Sequence, residues 1–455
     1  MSKPICYYST NRNASTVILR DALLQGQAAD RGLFMPERFP TLTTDTLRSL
    51  KGADYPRTAR EVLSLYTTDM MSDDQLDSLV QDAYDFDVPI EHVTGRLHVM
   101  RLDRGPTASF KDFAARMMGR WLGLIKKQDG GELVILTATS GDTGSAVAHA
   151  FHGVERIRVL VVFPIAEVSD RQRKQMTTIG GNVTTYGIEG KFDDCQALVK
   201  QAFADPQLKH IPLTSANSIN IGRLLPQSVY YVYAYLCLAD VDALKPITFC
   251  VPSGNFGDMM GAVIAAKMGI PIKRLIIATN DNDEVPNFLR TGRYEKIVPS
   301  RVCISNAMNV GHPSNLARLV DIYGGRMDET GSILQLPDME AMRRDLYAVS
   351  IDDNKTRDTI KDAYRHYNLL LEPHGAVGWA GLEHYISKEA NASDLLAVSV
   401  ETAHPAKFPE EIRSLLGFDP ETPPTLAGLD QKAEHYEMIE TDYPSFRALL
   451  ERQFA

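Results

Sequence analysis

The chain has 455 residues, 44% hydrophobic and 23% charged, with a formal net charge of −10. That length exceeds one compact core, which predicts two or three domains of ordinary globular composition. The acidic balance, with no run of five or more Lys and Arg, excludes nucleic acid or an anionic membrane surface as the main partner.

Residues 1–96 read as an N-terminal extension, with helical patterns in "TAREVLSLYTTDM" and "SDDQLDSLVQDAY" and turn-rich joints such as "FMPERFP". Its opening, "MSKPICYYSTNRNAS", has no apolar core, and no window approaches the roughly 20 apolar residues of a membrane span. The five cysteines (Cys6, Cys195, Cys237, Cys250, Cys303) lie far apart without a CxxC pair. A reduced, cytoplasmic protein is expected. His149 and His152 have helical spacing but no acidic or thiol neighbours in sequence, so no metal site is expected.

From "HVMRLDRGPTASFKDFAARMMGRWLGLIKK" onward the pattern becomes strand, glycine loop, helix. It recurs in "GELVILTATSGDTGSAVAHAFHG", continues through the apolar strand "IRVLVVFP", returns in "FCVPSGNFGDMMGAVIAAKMGIPIKRLIIATN" and ends at "LLAVSVETAHPAKF". Alternating elements with near-continuous Val, Ile and Leu strands predict an α/β protein with largely parallel sheets. Residues 97–130 and 215–405 are expected to form a large domain and 131–214 a smaller one. Residues 406–455, polar and Pro-rich, read as a C-terminal appendage.

Four stretches along this series carry chemistry. In "GPTASFKDF", Ser109 and Asp112 have capping-box spacing, so a helix should begin here, with Phe113, Met117, Trp121 and Leu124 holding helical period. Lys111 falls in its first turn between Phe110 and Phe113, where the helix dipole and burial both oppose a charged amine. A neutral lysine amine is a nucleophile toward carbonyls. An exposed lysine tolerated in a first turn would show the same pattern.

The loops "TSGDTG" (Ser140, Gly141, Asp142, Thr143) and "SGNFG" (Ser253, Gly254, Asn255, Phe256, Gly257) each join a strand to a helix start, where free N–H groups bind anions. Neither matches GxxxxGK[ST] or GxGxxG. Singly, each also reads as a tight connection. Between them, "TSANSINIGRLLPQ" offers Asn217 as a helix cap, with Ser218, Asn220 and Arg223 on the turns that follow. Asn217, Asn220 and Arg223 then share one helical face, a candidate second phosphate site; an amide cap plus a surface arginine is the alternative. Pro226 should kink or restart that helix. A carbonyl-reactive lysine beside a phosphate cup points to pyridoxal phosphate. Its phosphate would lie on the 253–257 loop, and an amino-acid carboxylate on the 140–143 loop.

"GPTASFKDFAAR", "TATSGDTGSAVAHAF", "SANSINIGRLL", "VPSGNFGD", "GHPSNLARL", "EPHGAVG" and "TAHPAKFPEE" together resemble threonine synthase, in its long microbial and fungal branch. The matching blocks run in order from about Asp103 to Glu411, and "ALLQGQAADRGLFMPERFP" resembles the family's opening segment. The resemblance implies a pyridoxal-phosphate lyase of the tryptophan-synthase-β fold (fold type II). The implied reaction converts O-phospho-L-homoserine and water to L-threonine and phosphate by γ-elimination and β-addition of water. It implies a monomer or homodimer acting on a small molecule.

By the same resemblance Lys111 matches the Schiff-base lysine, and Ser253 to Gly257 the cofactor-phosphate loop. Ser140 to Thr143 match the substrate-carboxylate loop, and Thr402 the hydroxyl facing the pyridine nitrogen. Three positions depart from the family's pattern: Arg104 stands before Gly-Pro-Thr, His312 gives "GHPSN", and "GQAADRGL" loosens the opening block. They leave room for a shifted substrate preference. The alternatives are a serine or threonine dehydratase of the same fold, or a phospho-lyase acting on another phosphorylated substrate. A dehydratase would have no use for the Asn217 to Arg223 cluster, and more typically shows Asn and His where Asp142 and Thr143 stand.

Overall fold

A computed structural model describes residues 4–389 and 394–454. Two parallel sheets organise it. The larger has six strands in the order Leu346–Ser350, Ile272–Thr279, Ile247–Pro252, Ala397–Glu401, Leu97–Arg101, Ile90–Thr94. Only the last pairs antiparallel, as a hairpin with Leu97–Arg101. The smaller sheet runs Glu437–Ile439, Val183–Ile188, Ile157–Pro164, Leu133–Ala138, Leu213–Thr214, all parallel. The central strands Ile247–Pro252 and Leu133–Ala138 are buried throughout, as their sequences, apolar but for Thr248 and Thr137, require of strands covered on both faces.

Both helical patterns of the N-terminal segment form: Tyr55–Thr67, and Asp73–Ala83 behind a Ser72–Gln75 capping box. This segment shares an apolar core with the large sheet. The Phe113 ring lies 5.3 Å from that of Tyr55 and 5.3 Å from that of Tyr230, so the helix that starts at Lys111 is packed from two sides. Burying such aromatics contributes about 1.5 to 3 kcal/mol each. At the other end of the chain, Glu437–Ile439 extends the smaller sheet, and Phe446, Leu449 and Leu450 of helix Tyr443–Phe454 join its core.

Three neighbouring strands of the large sheet deliver the site. Leu97–Arg101 leads to Lys111, Ala397–Glu401 to Thr402, and Ile247–Pro252 to the loop at Ser253. Ligands in open parallel sheets sit off the carboxyl ends of strands, and all three segments lie there.

Candidate active site

Lys111 is the first residue of helix Lys111–Asp129. The Ser109–Asp112 capping box does not form. Asp112 instead accepts from the N–H and hydroxyl of Thr107 (2.8 and 2.6 Å), while Ser109 bridges to Ala403. The helix start is therefore fixed by the neighbouring strand end: the Phe110 N–H donates to the Thr402 carbonyl and the His404 N–H to that of Ala108. Phe113, Met117 and Trp121 are buried as the helical period predicts; the fourth inward position is Ile125, with Leu124 half-exposed.

The Lys111 side chain is 15% exposed, with its Nζ 4.5 Å from the Phe110 ring centre and 3.9 Å from Asp142 Oδ2. Burial pushes its pKa down; Asp142 and Asp258 pull it up, while Lys407 and Arg223 push it down further. The amine is thus biased toward the neutral form that carbonyl chemistry requires.

The 140–143 loop opens helix Asp142–Phe151, with Gly141 at φ 128°, a conformation that favours glycine. The Thr139 hydroxyl accepts from the N–H groups of Gly141 and Gly144 (2.9 and 2.8 Å). Asp142 and Thr143 supply the first N–H groups of the helix, which have no intrahelical acceptors. The Asp142 carboxylate is tied internally, to Lys407 Nζ at 2.6 Å and Gln172 Nε2 at 3.0 Å. Burial alone would raise its pKa, but Lys407 and Lys111 hold it well below the usual carboxylate range. Any anion bound here is therefore held by backbone N–H groups, not by the Asp142 side chain.

Residues 217–223 do not form the expected α-helix behind an Asn217 cap. They make a 3-10 turn, Ile221–Arg223, capped by Asn220, then a second, Leu225–Gln227, before helix Ser228–Leu238 begins. Pro226 sits in the first positions of that second turn, and the α-helix begins only after it, at Ser228. The helical arc through Asn217, Asn220 and Arg223 consequently does not exist. Asn220 is buried and its amide is used up: it donates to Leu23 and Ser215 carbonyls (2.9 and 3.0 Å) and accepts from the Gly222 N–H.

Asn217 donates to the Ala138 carbonyl at 3.0 Å, tethering this turn to the 140–143 loop, and its Oδ1 is buried without a partner. Arg223 is 3% exposed. One of its nitrogens donates to the Ala216 carbonyl, and its Nε is buried without a partner. Burial lowers its pKa to about 10, Asp112 and Tyr230 opposing. A buried guanidinium without a hydrogen-bonded carboxylate fits an anion.

The 253–257 loop ends strand Ile247–Pro252 and opens helix Gly257–Lys267. A Cβ on Gly254 would lie 2.8 Å from Met308 Cα and 3.0 Å from the Ala307 carbonyl, so only glycine admits this approach. Phe256 is left-handed, at φ 62°, which turns the chain into the helix. Ser253 has its N–H in the sheet, on the Ala278 carbonyl. Asn255 donates to Ser218 at 3.1 Å and accepts from the Ser314 N–H at 2.6 Å. Ser218 accepts again from Asn315 at 3.0 Å, so the cup and the 217–223 turn meet at Ser218.

Several residues were not singled out by sequence spacing, though they stand in the quoted blocks. Arg318 and Asn315 belong to "GHPSNLARL": Arg318, fully buried, bonds the carbonyls of Phe34, Ser218 and Ile219 and the Asn315 side chain. His312 of the same block lies 2.7 Å from the Tyr294 hydroxyl. Lys407 belongs to "TAHPAKF". His374 of "EPHGAVG" faces Glu372 at 2.5 Å and accepts from the Ala307 N–H at 3.0 Å, beside Gly254. Asp258, in the first turn of the cup helix, takes the hydroxyls of Tyr230 and Tyr231 on one oxygen, and burial raises its pKa to about 6. Apart from the local pairs His374–Glu372 and Arg318–Asn315, the partners of these residues lie far along the chain.

Residues 87–400 match the family described as pyridoxal-phosphate dependent enzyme, residues 6–84 the threonine synthase N terminus, and residues 375–449 the threonine synthase C-terminal family. The threonine synthase of Haemophilus influenzae is 36% identical over 447 residues, covering 97% of this chain and 99% of that one. The PLP-bound threonine synthase of Brucella melitensis superposes with a TM-score of 0.91 at 33% identity, with 99% of each chain covered. The yeast threonine synthase does so at 0.88 and 30%, over 98% of each.

Proposed function

The chain belongs to the threonine synthase family, and from that premise we propose that O-phospho-L-homoserine is its substrate and that the residues assembled around Lys111 are its active site. The activity is that of a pyridoxal-phosphate-dependent lyase of fold type II that forms threonine. Among the described residues no helix is long and apolar enough to cross a membrane. The five free cysteines support a reducing cytoplasm. We take the working unit to be a monomer or homodimer.

The residues suit the cofactor. Gly254 leaves a cradle that a Cβ would fill, the N–H groups at the start of helix Gly257–Lys267 face it as an anion cup, and Lys111 is biased toward its neutral form. When bound, pyridoxal phosphate supplies an electron sink for carbanion chemistry at the substrate's α carbon.

The chain's own groups do the rest. Backbone N–H groups of the 140–143 loop hold the α-carboxylate. The freed Lys111 amine takes the α proton and shuttles protons at the β and γ carbons, which requires one mobile base near neutrality. Arg223, with Ser218 and Asn217, holds the phosphate as it leaves Cγ and balances its charge; Asn220 positions that turn from behind. Water then adds at Cβ, with the departing phosphate as a base. Thr402 would offer the ring nitrogen a neutral hydroxyl, which does not require that nitrogen to be protonated.

The observation that carries this reading is that three adjacent strand ends bring Lys111, Thr402 and the 253–257 cup together. The test is borohydride reduction and peptide mapping of the yellow protein, with phosphate release from O-phosphohomoserine assayed beside serine and threonine. A label on Lys111 and turnover of the phosphorylated substrate are expected. A label on another lysine removes the site assignment, and deamination of serine or threonine as the main activity removes the substrate.

A further inference from the structure

Two lysines share one buried aspartate at the junction of the two sheets. Asp142, from the smaller sheet's helix Asp142–Phe151, lies 2.6 Å from Lys407 Nζ and 3.9 Å from Lys111 Nζ. Lys407 has no exposed side-chain surface and also donates to the Thr107 carbonyl at 3.0 Å, in the turn that precedes Lys111. Gln175 donates to that same carbonyl at 3.1 Å, and Arg171 to the Ala406 carbonyl at 2.8 Å. Lys407 thus stands where the carboxylate loop, the Lys111 turn and the segment after Thr402 converge.

We propose that Lys407 is a positioning residue of the reaction: by holding Asp142 at 2.6 Å, it weakens the grip of that shared carboxylate on Lys111 and keeps the nucleophilic amine nearer its free form. The proposal rests on Lys111 being the reactive lysine. Four charged groups face Lys111: Asp142 from its helix start, Lys407 from the turn Pro405–Lys407, Arg223 from the turn Ile221–Arg223, and Asp258 from helix Gly257–Lys267. Asp142 in turn faces Lys407, Lys111, Gln172 and His374. With Lys407 gone, Asp142 has Lys111 as its nearest cation, and an opposite charge within about 4 to 6 Å favours the protonated amine. With Asp142 gone, two cations remain and disfavour it.

The two substitutions therefore act in opposite directions on Lys111. A role in packing alone would make both act alike. Competitive acetylation of the cofactor-free full-length chain, followed by peptide mapping, reads the neutral fraction of Lys111 without using activity. At a fixed pH near neutrality, Lys407→Met should slow labelling of Lys111 about tenfold relative to an exposed lysine, one pKa unit being a factor of ten. Lys407→Arg should slow it less. Asp142→Asn should speed it, and the double variant should return toward the parent.

Unchanged Lys111 labelling in Lys407→Met and in Asp142→Asn overturns the proposal. So does a change in the same direction in both. Should Lys407→Met fail to fold by circular dichroism, Asp142→Asn decides alone, its faster labelling supporting the proposal and an unchanged or slower rate overturning it. Failure of the prior reading looks different: Lys111→Ala would still retain the cofactor, and borohydride would fix it to another lysine.

Discussion

The two glycine loops look alike in sequence, each a Ser-Gly step between an apolar strand and a helix, yet they are built on different physics. The 253–257 cup is shaped by backbone contact: Gly254 lies against the 306–308 turn, and Asn255 is pinned by Ser218 and by Ser314. The 140–143 loop is set by charge, since Asp142 is anchored by Lys407 and Gln172 and is itself unavailable to an anion. A cup that is to hold one permanent phosphate is best rigid. A loop that is to take and release a substrate carboxylate works beside a charge balance that can shift.

Crowding the cup should do the most damage. Gly254→Val drives a side chain into the backbone of Met308 and Ala307, and overpacking of that kind costs about 1 to 3 kcal/mol before any anion contact is lost. Adding one or two charge-assisted contacts at about 1.5 to 3 kcal/mol each, cofactor retention should fall about a thousandfold. Dialysis followed by cofactor quantification measures it. Full occupancy would mean that the cup lies elsewhere.

Next in size is Arg223, which serves neither loop directly. On the proposed role of Arg223, Arg223→Met removes a charge-assisted phosphate contact, so kcat/KM for O-phosphohomoserine should drop about ten- to a hundredfold with the cofactor spectrum intact. Any weak turnover of unphosphorylated serine should fall less. Equal losses on both substrates would make Arg223 structural.

A smaller effect is expected at the charge-set loop. Gly141→Ala puts a Cβ against the flexible Gln172 side chain at an unfavourable φ, which costs about 1 to 3 kcal/mol. The cofactor should stay bound while KM rises. Loss of cofactor from this variant would erase the distinction between the loops.

What the sequence made legible follows the same division. Strands, glycine loops and the inward face of the Lys111 helix depend on local period and backbone freedom, and Phe113, Met117 and Trp121 are buried as their spacing requires. The cap at Asn217 was misplaced because Pro226 and the Asn220–Gly222 bond favour 3-10 turns, a competition that hydrophobic period does not report. The Ser109–Asp112 box failed because Thr107 is a nearer donor to Asp112 and Ala403 a partner for Ser109. Lys407 reaches Thr107 and Asp142, Arg318 reaches Phe34 and Ser218, and His374 reaches Ala307, and no spacing rule reaches that far along the chain.

The smallest effect tests whether the charge-set side is also sensitive to pH. His404 accepts the Ala406 N–H at 3.1 Å on Nδ1, capping the short turn that carries Lys407. Burial first, then Arg104, Arg101, Lys407 and Arg171, lower its pKa from 6.5 to about 4. The folded state therefore refuses a proton that the unfolded chain accepts. The stability this represents is fully present above pH 6.5 and is lost as pH falls toward about 4. Discounted for partial exposure, it amounts to about 1 to 2 kcal/mol. Asp258 and Asp103, both raised to about 6 by burial, work in the opposite sense over the same range, because the folded state binds their protons more readily. The parent's pH profile is thus a difference of terms, and only a paired variant separates them. His404→Asn keeps a capping side chain but cannot titrate. Urea unfolding at the two ends of the range should show this variant losing about 1 to 2 kcal/mol less on acidification than the parent. Parallel profiles would place the pH sensitivity outside this turn and leave the Lys407 anchor indifferent to acid.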